Sequence, residues 1–137
     1  MKRIVGNLSI ILVLLLSLSA QANEIELTES DMSKLVGTWV GDRDWQPTGQ
    51  KAGSGRHERL FLEIKKNGKS VITPEKKPNK KIKGPVEIID GKVFIKYMKQ
   101  KMEFAYSEKK GKAMLSTTFQ HKADGKPYIN ELVFTRQ

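Results

Sequence analysis

Two histidines, a serine set between glycines and one closely spaced pair of carboxylates are the residues of this chain whose types could do chemistry. A hydrolytic serine needs a neighbouring base and a strand–turn–helix setting that exposes its hydroxyl. Ser54 lies in Gly53-Ser54-Gly55 without that setting, and the stretch reads as flexible linker. His57 stands in Arg56-His57-Glu58-Arg59 and His121 stands beside Lys122, far apart in sequence and each amid charged neighbours. A metal ion needs several such donors at defined spacing, and no second ligand motif accompanies either histidine, so no metal and no cofactor are expected. Asp42-Arg43-Asp44 could pair acids for acid–base work, but it reads better as a solvated loop. Cysteine is absent, which removes disulfides, thiolate metal sites, cysteine nucleophiles and a lipid-modified cysteine. A protein without catalysis is the expectation.

Binding suits the residues better. Leu62, Tyr97, Met102, Phe104, Tyr106, Met114 and Tyr128 would supply an apolar wall with a few hydroxyls, which a small-ligand site needs and a plain packed core needs equally. Trp45 is the candidate to cover one face of a ligand at an entrance. Charge is the other resource. The chain carries a formal net charge of +10, falling to +8 if Lys2 and Arg3 are removed, and eight lysines lie between Lys65 and Lys83 against the single acid Glu75.

The elements that must position these residues begin after an export signal. Lys2 and Arg3, an apolar stretch from Ile4 to Leu18 and the Ala20-Gln21-Ala22 site have the layout of a cleaved signal peptide. Gly6, Asn7, Ser9, Ser17 and Ser19 interrupt the run that a membrane anchor would need. The expectation is therefore a signal peptide over 1–22 and one domain over 23–137; 137 less 22 leaves 115 residues. The segment from Thr28 to Lys34 reads as a short capped helical turn with acids in its first turn. Beyond it, apolar runs alternate with turn signals, predicting strands at about 36–41, 56–65, 69–73, 82–89, 92–98, 101–106, 113–119 and 127–135. Asn67-Gly68 and Asp90-Gly91 are two-residue hairpin signals. Leu60, Leu62 and Ile64 share one strand face; so do Val93, Ile95 and Tyr97, and Tyr128, Asn130, Leu132 and Phe134. Residues 42–55, with Trp45 and Pro47, are expected to form a long polar loop. Eight antiparallel strands in meander order hide their edges by closing on themselves, so the fold class expected is all-β, an eight-stranded up-and-down antiparallel barrel.

Leu35-Val36-Gly37-Thr38-Trp39 at the mouth of the first strand, the helical turn before it, the eight-strand meander and the terminal Arg136 resemble the lipocalin and related calycin proteins, in particular the small bacterial lipocalin-like domains. The resemblance implies that Trp39 plugs the closed end of the barrel and that Arg136 stacks across it. This chain is shorter than a typical lipocalin, and it lacks the long helix after the barrel and the family's disulfides.

In such a barrel, alternate connections gather at one rim. Lys76, Lys77, Lys80, Lys81, Lys99, Lys122 and Lys126 would then ring the mouth opposite Trp39, where a cationic ring over an apolar cup draws anionic amphiphiles by focusing its field. Lysines also simply solvate loops and guard strand edges. The function expected is an exported, periplasmic or secreted, monomeric lipocalin-like binding protein for a small apolar or anionic amphiphilic ligand of fatty-acid or lipid type. The alternative is a protein- or polyanion-binding module, such as an inhibitor or immunity-type protein, on the same barrel with a packed interior. Its partner would be an acidic protein or a polyanionic envelope surface; nucleic acid is not expected.

Overall fold

A computed structural model of the chain describes residues 23–49 and 55–137. Residues 1–22, expected to be a signal peptide, and Ser54 lie outside the described residues. The strands are β1 (Asn23–Ile25), β2 (Gly37–Pro47), β3 (Arg56–Ile64), β4 (Lys69–Pro74), β5 (Ile82–Ile89), β6 (Lys92–Tyr97), β7 (Gln100–Lys109), β8 (Lys112–Ala123) and β9 (Lys126–Arg136). A 3-10 helix over Glu29–Lys34 precedes β2.

Each of β2 to β9 pairs with its sequence neighbour, and β2 pairs with β9, so eight antiparallel strands close into a barrel. The closing ladder runs from Trp39 opposite Arg136 to Pro47 opposite Tyr128. β1 stays outside the meander and pairs with the far half of β7, Ile25 opposite Tyr106. Tight turns with positive φ at Asp90-Gly91, Lys110-Gly111 and Asp124-Gly125 join consecutive strands, because both turn positions need residues that tolerate that conformation.

Period-two burial fills the interior. Trp39, Leu60, Leu62, Ile64, Ile72, Val93, Ile95, Phe104, Leu115, Leu132 and Phe134 are buried in one cluster. Phe104 and Phe134 meet across it, their ring centroids 6.0 Å apart. Leu27 and Leu35, from the segment before β2, complete the core, and the Leu27 amide bonds to the Gly91 carbonyl in the β5–β6 turn. The 3-10 helix is started by Thr28, whose amide donates to the Asp31 carboxylate at 2.8 Å. That bond holds the Asp31 carboxyl below the usual range.

Besides the added outer strand β1, two features depart from the sequence expectation. β2 continues through Asp42, Arg43, Asp44 and Trp45 to Pro47 rather than ending at residue 41. Its alternation persists, and both neighbours extend far enough to pair with it: Arg43 lies opposite Glu58 in β3 and Leu132 in β9. Tertiary pairing thus overrides the polar composition that marks a loop. The β7–β8 ladder, by contrast, is short. Only Ala105–Lys109 pairs with Lys112–Ser116, so Gln100–Phe104 and Thr117–Ala123 have no ladder partner in one another. A cleft of about 430 Å³ lies there, with Met102, Thr117 and Phe119 in its lining.

Candidate functional site

The two ends of the barrel differ in chemistry. At the closed end, the Trp39 indole is 1% exposed and donates to the Leu35 carbonyl at 3.0 Å. The Arg136 guanidinium lies over that ring, 5.7 Å from its centroid, and donates to the carbonyls of Lys34 and Val36. Gly37, at φ +139°, makes room: a Cβ there would sit 3.4 Å from the guanidinium. This end is a tied-down plug of backbone carbonyls, indole and cation.

At the other end β2 stops at Pro47 and β3 starts at Arg56, and the connections 75–81, 98–99 and 124–125 lie there too, as an up-and-down order requires. Its central feature is Arg43, on the inner face of β2 and only 8% exposed. A buried guanidinium must have its donors satisfied. Nε donates to Asn130 Oδ1 at 2.8 Å, and Nη1 donates to Glu58 Oε1 at 3.0 Å and to the Tyr97 hydroxyl at 3.1 Å. Aromatic rings surround it: Trp45 at 4.3 Å, Tyr97 at 5.7 Å and Phe119 at 5.8 Å from the guanidinium carbon. Burial pushes the Tyr97 phenol up to about 12, with the Arg43 charge opposing that rise and Glu58 adding to it.

The network continues to the rim. Arginine has no acceptor, so the Asn130 oxygen must face Arg43 and its amide nitrogen must point away. That nitrogen donates to His121 Nδ1 at 2.7 Å, which leaves the histidine proton on Nε2. His121 stacks on Tyr128 with centroids 5.2 Å apart. Burial, with the Arg43 charge adding to it, lowers the His121 pKa. An imidazolium here would turn a second N–H against the Asn130 amide.

At this rim a cleft of about 620 Å³ is lined by Trp45, Arg56 and Asn130 together with the outward residues Asp44, Gln46, His57, Ile129 and Glu131. Trp45 is shared: it faces the cleft and covers the guanidinium. Ile129, on the outer face of β9 and 41% exposed, is the apolar side chain of the cleft beside Trp45. His57 itself turns outward to Asp42, 3.0 Å away. Among the described residues no group of three His, Cys, Asp or Glu side chains is placed to hold a metal ion.

The structure spreads the residues proposed from the sequence for one cup over the full height of the barrel. Trp45, Tyr97 and Tyr128 come together around the Arg43 network. Met102, opposite Ile95, and Phe104, opposite Val93, are core. Leu62 lies opposite Trp39 near the closed end. Tyr106 is also remote from the mouth; its hydroxyl donates to Glu108 at 2.8 Å, and burial with that bond pushes it up to about 12. Met114 is half-buried on β8 opposite Thr135. Trp45 is on a strand, not on a loop. Lys76, Lys77, Lys80 and Lys81 occupy the β4–β5 connection, Lys99 the β6–β7 turn, and Lys122 and Lys126 flank the β8–β9 turn, all exposed.

Arg43, Glu58, Asn130 and His121 escaped the reading of the sequence as site residues. The signal for Arg43 was present: Trp39, Gly41, Arg43 and Trp45 keep one alternation, and extending the strand by four residues turns Arg43 inward. Comparison with models of known families, with curated proteins and with solved structures finds no match for this chain.

Proposed function

We propose that this protein is an exported, non-catalytic binding protein with a lipocalin-like barrel that takes a small anionic amphiphile at its rim cleft. One observation carries the reading: a buried guanidinium lies under the Trp45 indole, and a cleft at the same rim has Trp45, Ile129 and Arg56 in its lining. An indole provides a large rigid apolar face with little entropy to lose. Lysines of three rim connections add a positive field that concentrates anions at the same end.

A titration with cis-parinaric acid, read by its fluorescence, tests this. Arg43→Met and Trp45→Ala are each expected to weaken binding by about tenfold, equivalent to about 1.4 kcal/mol. Leu62→Ala, deep at the closed end, should leave affinity unchanged. Absence of uptake, or uptake indifferent to both rim variants, would reject the rim site.

The filled interior favours a second reading, a protein- or polyanion-binding module. Leu60, Ile95, Phe104 and Leu115 have no solvent exposure, so the barrel need not be a cup at all. Heparin binding that falls steeply with salt, together with no parinarate uptake, would support that reading.

A further inference from the structure

Ten lysines, three acids and no arginine lie between Lys69 and Lys101, and folding gathers four of these lysines on one wall. Lys96 and Lys101 stand directly opposite each other in the β6–β7 ladder. Like charges in that relation destabilise a sheet. Lys96 also lies across β5: a Cβ on Gly84 would come within 2.6 Å of the Lys96 Cβ, so only glycine admits the lysine stem. On either side of Gly84 sit Lys83 and Pro85, and Pro85 faces Lys69 in β4. Lys69, Lys83, Lys96 and Lys101 are thus exposed around Gly84 and Pro85 of β5. The connection bearing Lys76 to Lys81 runs directly into the same strand. Glu87, which pairs with Lys101, is the acid tied to this group. The arginines of the described residues, Arg43, Arg56, Arg59 and Arg136, all lie on β2, β3 and β9.

We infer that the β4–β7 wall is a docking face for an anionic lipid surface. The charge complementarity is of a particular kind. Arginine reads a carboxylate or phosphate through a fixed two-pronged geometry, whereas lysine is a mobile point charge. A wall of lysines alone matches a fluid array of headgroups, in which charge density is constant and the position of each phosphate is not. The outward side chains here contribute nothing to the core, so the fold itself does not require the opposed lysines. This face is separate from the rim cleft, and the inference stands or falls independently of that site.

Co-sedimentation of the full barrel with phosphatidylglycerol vesicles, against phosphatidylcholine vesicles, tests it. Binding to the anionic vesicles alone is expected, lost at high salt. Each lysine at an anionic surface contributes about a fivefold factor, so the triple variant Lys69→Gln, Lys96→Gln and Lys101→Gln should bind roughly 100-fold more weakly. The control triple Lys110→Gln, Lys112→Gln and Lys122→Gln, on the β7–β8 turn and β8 outside that wall, removes the same charge and should bind almost as the parent does. Lys96→Gln alone, which keeps the stem over Gly84, should still cost about fivefold and serves if the triple variant unfolds. Equal losses in both triples would reduce the effect to net charge and overturn the inference. Binding to heparin without binding to phosphatidylglycerol would overturn it in favour of a soluble polyanion.

Discussion

Arg43 concentrates the physical tension of this molecule in one side chain. Removing a guanidinium from water is costly unless each donor finds a partner and the charge a counter-charge. Asn130, Tyr97 and the half-exposed Glu58 provide these, and Trp45 covers the plane. His121 is the member of the network whose side-chain type ordinarily changes charge closest to neutrality. Its folded pKa lies below its ordinary value, so the unfolded chain binds the proton more readily. Stability contributed by neutral His121 is therefore present above about pH 6.5 and is lost as the pH falls below it. The melting temperature is expected to drop between about pH 7 and about pH 5.5, and His121→Gln, which retains an acceptor for Asn130, should flatten that part of the profile. A profile unchanged by the substitution would place the titration elsewhere.

At the scale of the element, the length of β2 decides what each end of the barrel does. Eleven residues carry it from the plug at Trp39 to the aromatic cover at Trp45, so one strand positions both ends. Its N-terminal turn is tied to β9 through Arg136, whose guanidinium reaches back to the carbonyls of Lys34 and Val36. Arg136→Ala removes two hydrogen bonds to carbonyls and the cation over the indole, and should lower unfolding free energy by about 1–3 kcal/mol in urea denaturation. Parinarate binding should be unaltered, because the plug and the rim cleft lie at opposite ends of β2. Full stability in that variant would mean that the plug holds without its cation. The strands opposite behave differently: β7 and β8 share five pairs and then part, leaving Phe119 to bridge between the cleft they form and the aromatic surround of Arg43.

Taken whole, the molecule is a barrel filled by its own side chains. Phe104 has no exposed surface and touches Phe134 across the core, so Phe104→Ala should cost about 3–5 kcal/mol, seen as a lower urea midpoint. A loss below about 1 kcal/mol would mean that the interior already holds space for a ligand. Much of this architecture was legible in the sequence, because its determinants are local. The period of two in Leu60-Leu62-Ile64 and in Tyr128-Asn130-Leu132-Phe134, and the two-residue turn at Asp90-Gly91, depend only on near neighbours; Asn67-Gly68 also marks a turn, but one of four residues, 65–68, rather than two. The rim network was not legible, for it joins residues up to 87 positions apart. Arg43 and Glu58 carry no mark of burial in their own types, and Asn130 reads as one polar break in an apolar face. The lysine wall was likewise visible as composition and not as a surface. The amino-acid sequence by itself determined strands, turns, charge and the tryptophan at the first strand's mouth, since these follow from side-chain alternation and backbone preference. Only the tertiary structure decided that β2 runs on into the rim, that a guanidinium is buried there and that Lys69, Lys83, Lys96 and Lys101 share one wall, because register between distant strands is set by the packing of the whole core.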